Sequence, residues 1–351
     1  MKTSISIGSA YYNGQDWDEL VDYCMAADRM GVDQAWSAEA WGMDTIVPLA
    51  FLAAKTENIK LGTGIMQISA RVPSMTAMTS QSLDTVSKGR FILGLGVSGP
   101  QVVEGLHGAS FAKPLSRLRE YVEVLRIALA GEKVQYDGEH YLLPRPGGEG
   151  KPIRLSQPPR PDLPIYLATL GPKSLEMTGE LADGWLGTSF LPDHADIFLD
   201  HLKAGAEKAS RSLADIDIQT GGYFEVGEDV ERLINDRKPA MAFTLGAMGS
   251  AKTNFYNQAY QRAGYEDVAK EVQGLWVSGK KEDAIRAVPD ELVLQANLIG
   301  TEAMVKEQLK RYREVGVNTL RLSTGGNTWP ERTAALEAAM DLVQRDARDA
   351  A

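Results

Sequence analysis

Along this chain, short apolar runs rich in β-branched residues alternate with longer stretches whose apolar residues recur every three to four positions. The first pattern predicts buried strands, the second helices packed on one face. The strand-like runs are ISIGSA (5–10), DQAWSAE (33–39), IKLGTGIMQI (59–68), RFILGLGVS (90–98), PIYLAT (164–169), GWLGTS (184–189), IQTGGYFEV (218–226) and TLRLST (319–324). After the first, Leu20, Cys24, Ala27 and Met30 share one helical face and Gly31 stops the helix. After the last, PERTAALEAAMDLVQRDAR reads as a helix with Pro330 in its first turn. Strands that alternate with helices lie parallel, because each helix carries the chain back across the sheet. Eight such units predict an α/β fold, a (β/α)8 TIM barrel.

Two stretches interrupt the rhythm. Residues 131–163 contain KVQYDGEHYLL, which predicts a hairpin turning at Asp137-Gly138, followed by proline- and glycine-rich turns. Residues 248–298 are helical and aromatic. The alternation resumes after each, so both read as insertions within one domain covering 1–351.

Composition narrows the class. The 351 residues are 44% hydrophobic with a net charge of −10, a balance that argues against nucleic acid or an anionic membrane as partner. Cys24 is the single cysteine, which excludes an internal disulfide and fits a reducing cytoplasm. No apolar run is long enough to span a bilayer, and MKTSISIGSA reads as a strand rather than a leader. Neither a histidine–cysteine metal pattern nor a G-x-S-x-G elbow occurs.

Gly94-Leu95-Gly96-Val97-Ser98-Gly99 matches the dinucleotide fingerprint G-x-G-x-x-G. That fingerprint needs a helix starting at its third glycine, and Gly105, Gly108 and Pro114 prevent a long one. The motif also follows the fourth strand rather than the first. The glycines therefore serve crowded strand packing or the approach of a flat ring to a barrel strand's C-terminal end. LGTGIMQISARVPS (61–74) carries a similar pair, Gly62 and Gly64. At the fifth strand Gly171-Pro172-Lys173 opens a helix whose free amides suit a phosphate; an ordinary helix start with a solvated lysine is the equal alternative.

The stretches AWSAEAWGMD, LGTGIMQISARVPSMTA, GRFILGLGVSGPQVVEGLHG, PIYLATLGPKSLEMTGELADGW and VGVNTLRLSTGG, in this order, resemble the luciferase-like flavin and deazaflavin superfamily. The likeness is greatest to its F420-dependent oxidoreductase branch. The resemblance implies a barrel with coenzyme F420 in its C-terminal mouth, FMN being the alternative cofactor. It implies a non-prolyl cis peptide at Gly64-Ile65 backing the ring and shielding one face, so that hydride leaves from the other. It implies cofactor contacts at Glu39, Ser98 and Gly99, and phosphate-holding loops at Thr169, Leu170, Gly171, Pro172 and Lys173 and at Gly187 and Thr188. A cytoplasmic homodimer is implied, paired through outer helices such as TIVPLAFLAAKT and MTAMTSQSLDTV.

Two positions depart from the sugar and alcohol dehydrogenases of that branch. Ala40 replaces the histidine after the second-strand acid, and Pro100 falls where a glutamate lies near the ring. Alcohol oxidation is thereby disfavoured relative to reduction of an activated C=C, C=N or C=O bond in a small organic substrate. Glu39 between Trp36 and Trp41 is the first candidate proton donor, its acidity weakened by an apolar mouth, with a purely structural hydrogen bond as the equal alternative. Glu104 and His107 are further catalytic candidates, with surface placement at least as plain a reading. Phe255, Tyr256 and Tyr260 suit either a substrate roof or helix packing, and His140 is read as hairpin surface. An FMN-dependent two-component monooxygenase and a non-catalytic flavin-binding barrel are the competing functions.

Overall fold

A computed structural model describes residues 1–7, 16–249 and 253–349. The chain forms two compact units, one of Ser6–Ala168 with Glu180–Gly184, the other of Met1–Ile5, Thr169–Gly179 and Trp185–Ala351. The chain opens with β1 (Lys2–Ser6), mostly in the second unit. The first unit continues through α1 (Trp17–Met30), β2 (Gln34–Ser37), α2 (Ile46–Ala53), β3 (Lys60–Thr63), β4 (Met66–Gln67), α3 (Pro73–Val86) and β5 (Phe91–Gly96). It ends with α4 (Pro100–Val103), α5 (Pro114–Leu129), the hairpin strands β6 (Tyr136–Asp137) and β7 (Leu142–Leu143), and β8 (Ile165–Leu167). Here β2, β3, β5 and β8 are parallel neighbours in that order.

Helix α6 (Pro172–Leu181) and strand β9 (Gly184–Leu186) come next. The rest of the second unit is α7 (Asp196–Lys208), β10 (Asp217–Val226), α8 (Val230–Ala247), α9 (Phe255–Tyr260), α10 (Glu266–Val277), α11 (Lys281–Arg286) and α12 (Asp290–Ala296), then β11 (Leu298–Gly300), α13 (Glu302–Glu314), β12 (Thr319–Thr324) and α14 (Trp329–Asp349). Strand β12 lies between β1 and β10, and β11 pairs with the far end of β10. Strands β1, β2, β3, β5, β8, β9, β10 and β12, alternating with helices, make the (β/α)8 barrel fold.

Local chemistry explains the boundaries. Asp16 caps α1 by accepting from the Asp18 amide, and Gly31, at φ 81°, ends it where a side chain would be strained. The buried face of α1 carries Leu20, Cys24 and Ala27, as the spacing predicts, with Met30 half-buried. All six residues of β5 are buried, as expected of a parallel strand covered on both sides.

The differences from the sequence reading are instructive. The run 59–68 is not one strand: it breaks at Gly64 and Ile65 into β3 and β4, and the bond joining those two residues is cis. The first strand ends at Ser6, and residues 8–10 of the predicted run lie outside the described residues. Helix α8 precedes the second interruption. Strand β11, only three residues long, was too short to show as a period. His140 is not hairpin surface: its ring is 10% exposed and Nε2 meets Ser116 Oγ at 2.7 Å.

Candidate functional site

In the first unit the ends of β2, β3 and β5 meet around Ile65. Gly64 N donates to Ser37 O at 2.6 Å, and Glu39 N donates to Ile65 O at 3.1 Å. Thr45 Oγ1 also donates to Ser37 O, at 2.7 Å. Thr63 Oγ1 donates to Gly94 O and accepts from Gly94 N, which ties β3 to β5.

The glycines here make room. A Cβ on Gly62 would stand 2.4 Å from the Trp36 ring, and one on Gly96 would stand 3.0 Å from the Ile65 side chain. Gly96, the middle glycine of the G-x-G-x-x-G run, therefore admits Ile65 and not a pyrophosphate. Only the four-residue α4 follows Gly99, its N-cap, and Ser98 takes a positive φ of 59° at the turn off the strand.

Glu39 is the centre of this region. Its carboxyl is 7% exposed, and Arg71 grips it through two nitrogens, Nη2–Oε1 at 2.7 Å and Nη1–Oε2 at 2.9 Å. The amides of Gln67 and Thr45 donate to the same carboxylate at 3.1 and 3.4 Å. Tyr121 carries the chain of contacts onward, donating to Arg71 O at 3.2 Å and meeting Thr76 Oγ1 at 2.5 Å.

This corrects the expectation of a lone acid in an apolar mouth. Trp36 is buried, packing on Tyr166 with ring centroids 5.5 Å apart, but Trp41 is 76% exposed. Both oxygens of Glu39 already hold protein donors, so the group fastens the loops after β2 and β4 together. The sequence reading passed over Arg71; its signal is a lone charge in an otherwise uncharged loop, two residues before the helix-opening Pro73.

Three oxygens near this cluster in sequence, Ser37 Oγ, Gln67 Oε1 and Ser69 Oγ, are buried without a hydrogen-bond partner. Buried polar groups are nearly always paired, so each orphan marks a place for a further donor. Glu104 and His107 stand apart from these contacts. Both are exposed, and Glu104 Oε1 accepts from the Phe111 amide at 3.2 Å. Among the described residues, no hydrogen bond or ion pair joins either to Glu39.

The second unit holds the other predicted contacts. Thr169 Oγ1 meets Thr178 Oγ1 at 2.7 Å, and Trp185 Nε1 donates to Thr169 O at 2.8 Å. Gly171 N donates to Ser174 Oγ, which returns a bond to Gly171 O, so this loop is latched to the first turn of α6. Pro172 opens the helix and its first turn contains no acid. Lys173 is exposed. Gly187 N donates to Gln219 O at 2.7 Å, and a Cβ there would meet the Trp185 ring at 2.6 Å. Thr188 follows, half-buried.

Two arginines that sequence reasoning missed join these loops. Arg321 Nη1 donates to Gly187 O at 3.1 Å, and Arg262 Nη2 donates to Leu170 O at 2.6 Å. Tyr260 is buried, its phenol pushed up to about 12 by loss of water despite a hydrogen bond with Ser189. Tyr256 is half-buried. The described residues contain no group of three histidine, cysteine or carboxylate side chains able to hold a metal. No helix among them is long and apolar enough to cross a membrane.

Comparison with known proteins accords with this geometry. Residues 1–319 match the family model of the luciferase-like monooxygenases. A Mycobacterium tuberculosis protein named "Putative coenzyme F420-dependent oxidoreductase Rv3520c" is 38% identical over 344 residues, 96% of this chain and 99% of its own. The 5,10-methylenetetrahydromethanopterin reductase of Methanolobus tindarius is 28% identical over 91% of this chain and 93% of its own. Among solved structures, the coenzyme F420 dependent tetrahydromethanopterin reductase from Methanopyrus kandleri superposes with a TM-score of 0.80 at 22% identity, covering 98% of each chain. The chain belongs to the luciferase-like monooxygenase family.

Proposed function

We propose that the protein is an F420-dependent oxidoreductase that passes a hydride between the deazaflavin and a small organic molecule. The observation that carries this reading is the Gly64–Ile65 turn, whose Ile65 side chain is admitted by Gly96 at the end of β5. The 38% identity to a protein named for F420 supports the same cofactor. The residues present fit the group. Ser37 Oγ, Gln67 Oε1 and Ser69 Oγ offer buried partners to the polar edge of a ring, and the start of α6 with Lys173 offers amides and charge to a phosphate.

Bound F420 supplies the two-electron carrier. This chain's part is to hold ring and substrate in contact and keep water away, which is most of what hydride transfer asks of a protein. Ile65 presents a branched apolar side chain, seated against Gly96, that would support a bound ring. Glu39 and Arg71 hold the loops after β2 and β4 that frame it. With Ala40 where the alcohol dehydrogenases have histidine, reduction of an activated C=C, C=N or C=O bond is the favoured direction.

Anaerobic mixing with reduced F420 and a panel of such acceptors tests the reading. Oxidation of the cofactor with at least one acceptor, using deuterium from one face only, is the expected result. Transfer from both faces, or oxidation by oxygen with insertion of an oxygen atom into substrate, would replace it with the monooxygenase reading.

The protein is further read as a single-domain cytoplasmic homodimer. Val47, Phe51, Met75 and Met78 on α2 and α3 are 41–62% exposed, an apolar surface suited to a second copy. Light scattering at micromolar concentration should give twice the chain mass, and a monomer mass excludes the pairing.

A further inference from the structure

Several arginine side chains here are satisfied in one of two ways. Arg71, Arg119, Arg126 and Arg313 each meet a carboxylate. Arg90 answers to oxygens of the chain: Nε, Nη1 and Nη2 make five hydrogen bonds, to Ser87 O, Thr56 Oγ1, Ile59 O, Ala53 O and Thr56 O. Arg262 follows neither pattern. It is half-buried, makes one hydrogen bond, to Leu170 O, and has no ion pair among the described residues. Its Nε is buried with no acceptor. Of the five N–H donors in the planar fork, one meets Leu170 O and the buried Nε–H meets no acceptor. Leaving desolvated donors unmade is costly, and a guanidinium is shaped to close that gap on an oxyanion through two parallel bonds.

The backbone around Arg262 is also unusual. Helices α9 and α10 are joined across a kink within Gln261–Tyr265. Gly264 sits there at φ 87°, where a Cβ would meet no atom within 4 Å, so the glycine serves the conformation and not a packing need. Arg262 is set against Leu170, in the loop before α6, whose first turn has no acidic residue and whose Lys173 makes no hydrogen bond or ion pair among the described residues.

We infer that Arg262 is an anion-binding residue beside the loop before α6, closing its free Nε and Nη1 donors on a phosphate or carboxylate group of a bound ligand. The inference rests on the F420 reading for the identity of one such ligand, since the cofactor's tail carries a phosphate and carboxylates. A free anionic substrate offers the same chemistry.

The test compares wild type with R262Q and R262K. Three quantities are measured on the whole protein: affinity for F420, affinity for the deazaflavin chromophore without its phosphate tail, and the rise in melting temperature caused by inorganic phosphate. R262Q should weaken F420 by roughly ten- to a hundredfold, the range of hydrogen bonds to charged groups. R262K should weaken it less, and the tail-free chromophore should bind all three alike. Phosphate should stabilise wild type and not R262Q. Unchanged F420 affinity with a lost phosphate effect assigns the oxyanion to the substrate and still supports the inference. Should R262Q fail to fold, R262K carries the comparison through the ratio of F420 to chromophore affinity. The inference is overturned if phosphate acts equally on wild type and variant with F420 affinity unchanged, or if R262Q weakens F420 and chromophore to the same degree. Failure of wild type to bind F420 would sink the proposed cofactor alone, because the phosphate arm still reports on Arg262.

Discussion

The two regions that carry the residues predicted for the site are satisfied in opposite ways. Around Ile65 the charges are matched: Glu39 and Arg71 hold each other, and what remains over is neutral, the oxygens of Ser37, Gln67 and Ser69. Around α6 what remains over is cationic, the guanidinium of Arg262 and the ammonium of Lys173, with no acid in the helix's first turn. A matched ion pair with leftover neutral oxygens suits an uncharged hydrogen-bonding ring edge. Leftover cations beside free helix amides suit an oxyanion. The difference teaches that each region asks for a partner of its own chemistry, a neutral hydrogen-bonding edge in the first and an oxyanion in the second.

The comparison breaks most readily at the ion pair. Arg71→Ala leaves the buried Glu39 carboxylate without its partner and should cost about 3–5 kcal/mol, read from urea unfolding. A loss below about 1 kcal/mol would mean that the pair is as weak as an exposed one. Next comes Gly62→Ala, whose Cβ would overlap the buried Trp36 ring. Overpacking of this kind costs about 1–3 kcal/mol, and a melting temperature equal to wild type would contradict the tight fit.

The cationic region is sharpened by Lys173→Glu. F420 affinity should fall about tenfold, the scale of one charged hydrogen bond, with thermal stability nearly unchanged because the side chain is exposed. Equal affinity would return Lys173 to solvent and leave Arg262 to carry the anion. The smallest effect is a control. Burial pushes the Cys24 thiol far above its usual range, and the thiolate is the reactive form. A disulfide reagent at pH 8 should therefore leave Cys24 untouched until the protein is unfolded, whereas rapid labelling of native protein would show α1 to be loosely packed.

Much of this was legible in the chain because it is local. The buried face of α1, the stop at Gly31 and the opening of α6 at Pro172 each depend on residues within a turn or two. The glycines of β3 and β5 were legible as close-approach positions, though the sequence could not say that Trp36 and Ile65 are what approach them. What escaped was long-range. Glu39 and Arg71 are 32 residues apart, and Arg262 and Leu170 are 92 apart. No periodicity links such pairs, and a lone arginine reads as surface until its partner is known. Glu39 was therefore left between a free acid and a structural hydrogen bond, and Arg262 was not read at all.

Paired titrations of the wild-type protein with F420 and with FMN test the proposed cofactor most directly. F420 should bind at least roughly tenfold more tightly, a margin of about 1.4 kcal/mol; tighter binding of FMN, or binding of neither, would contradict it.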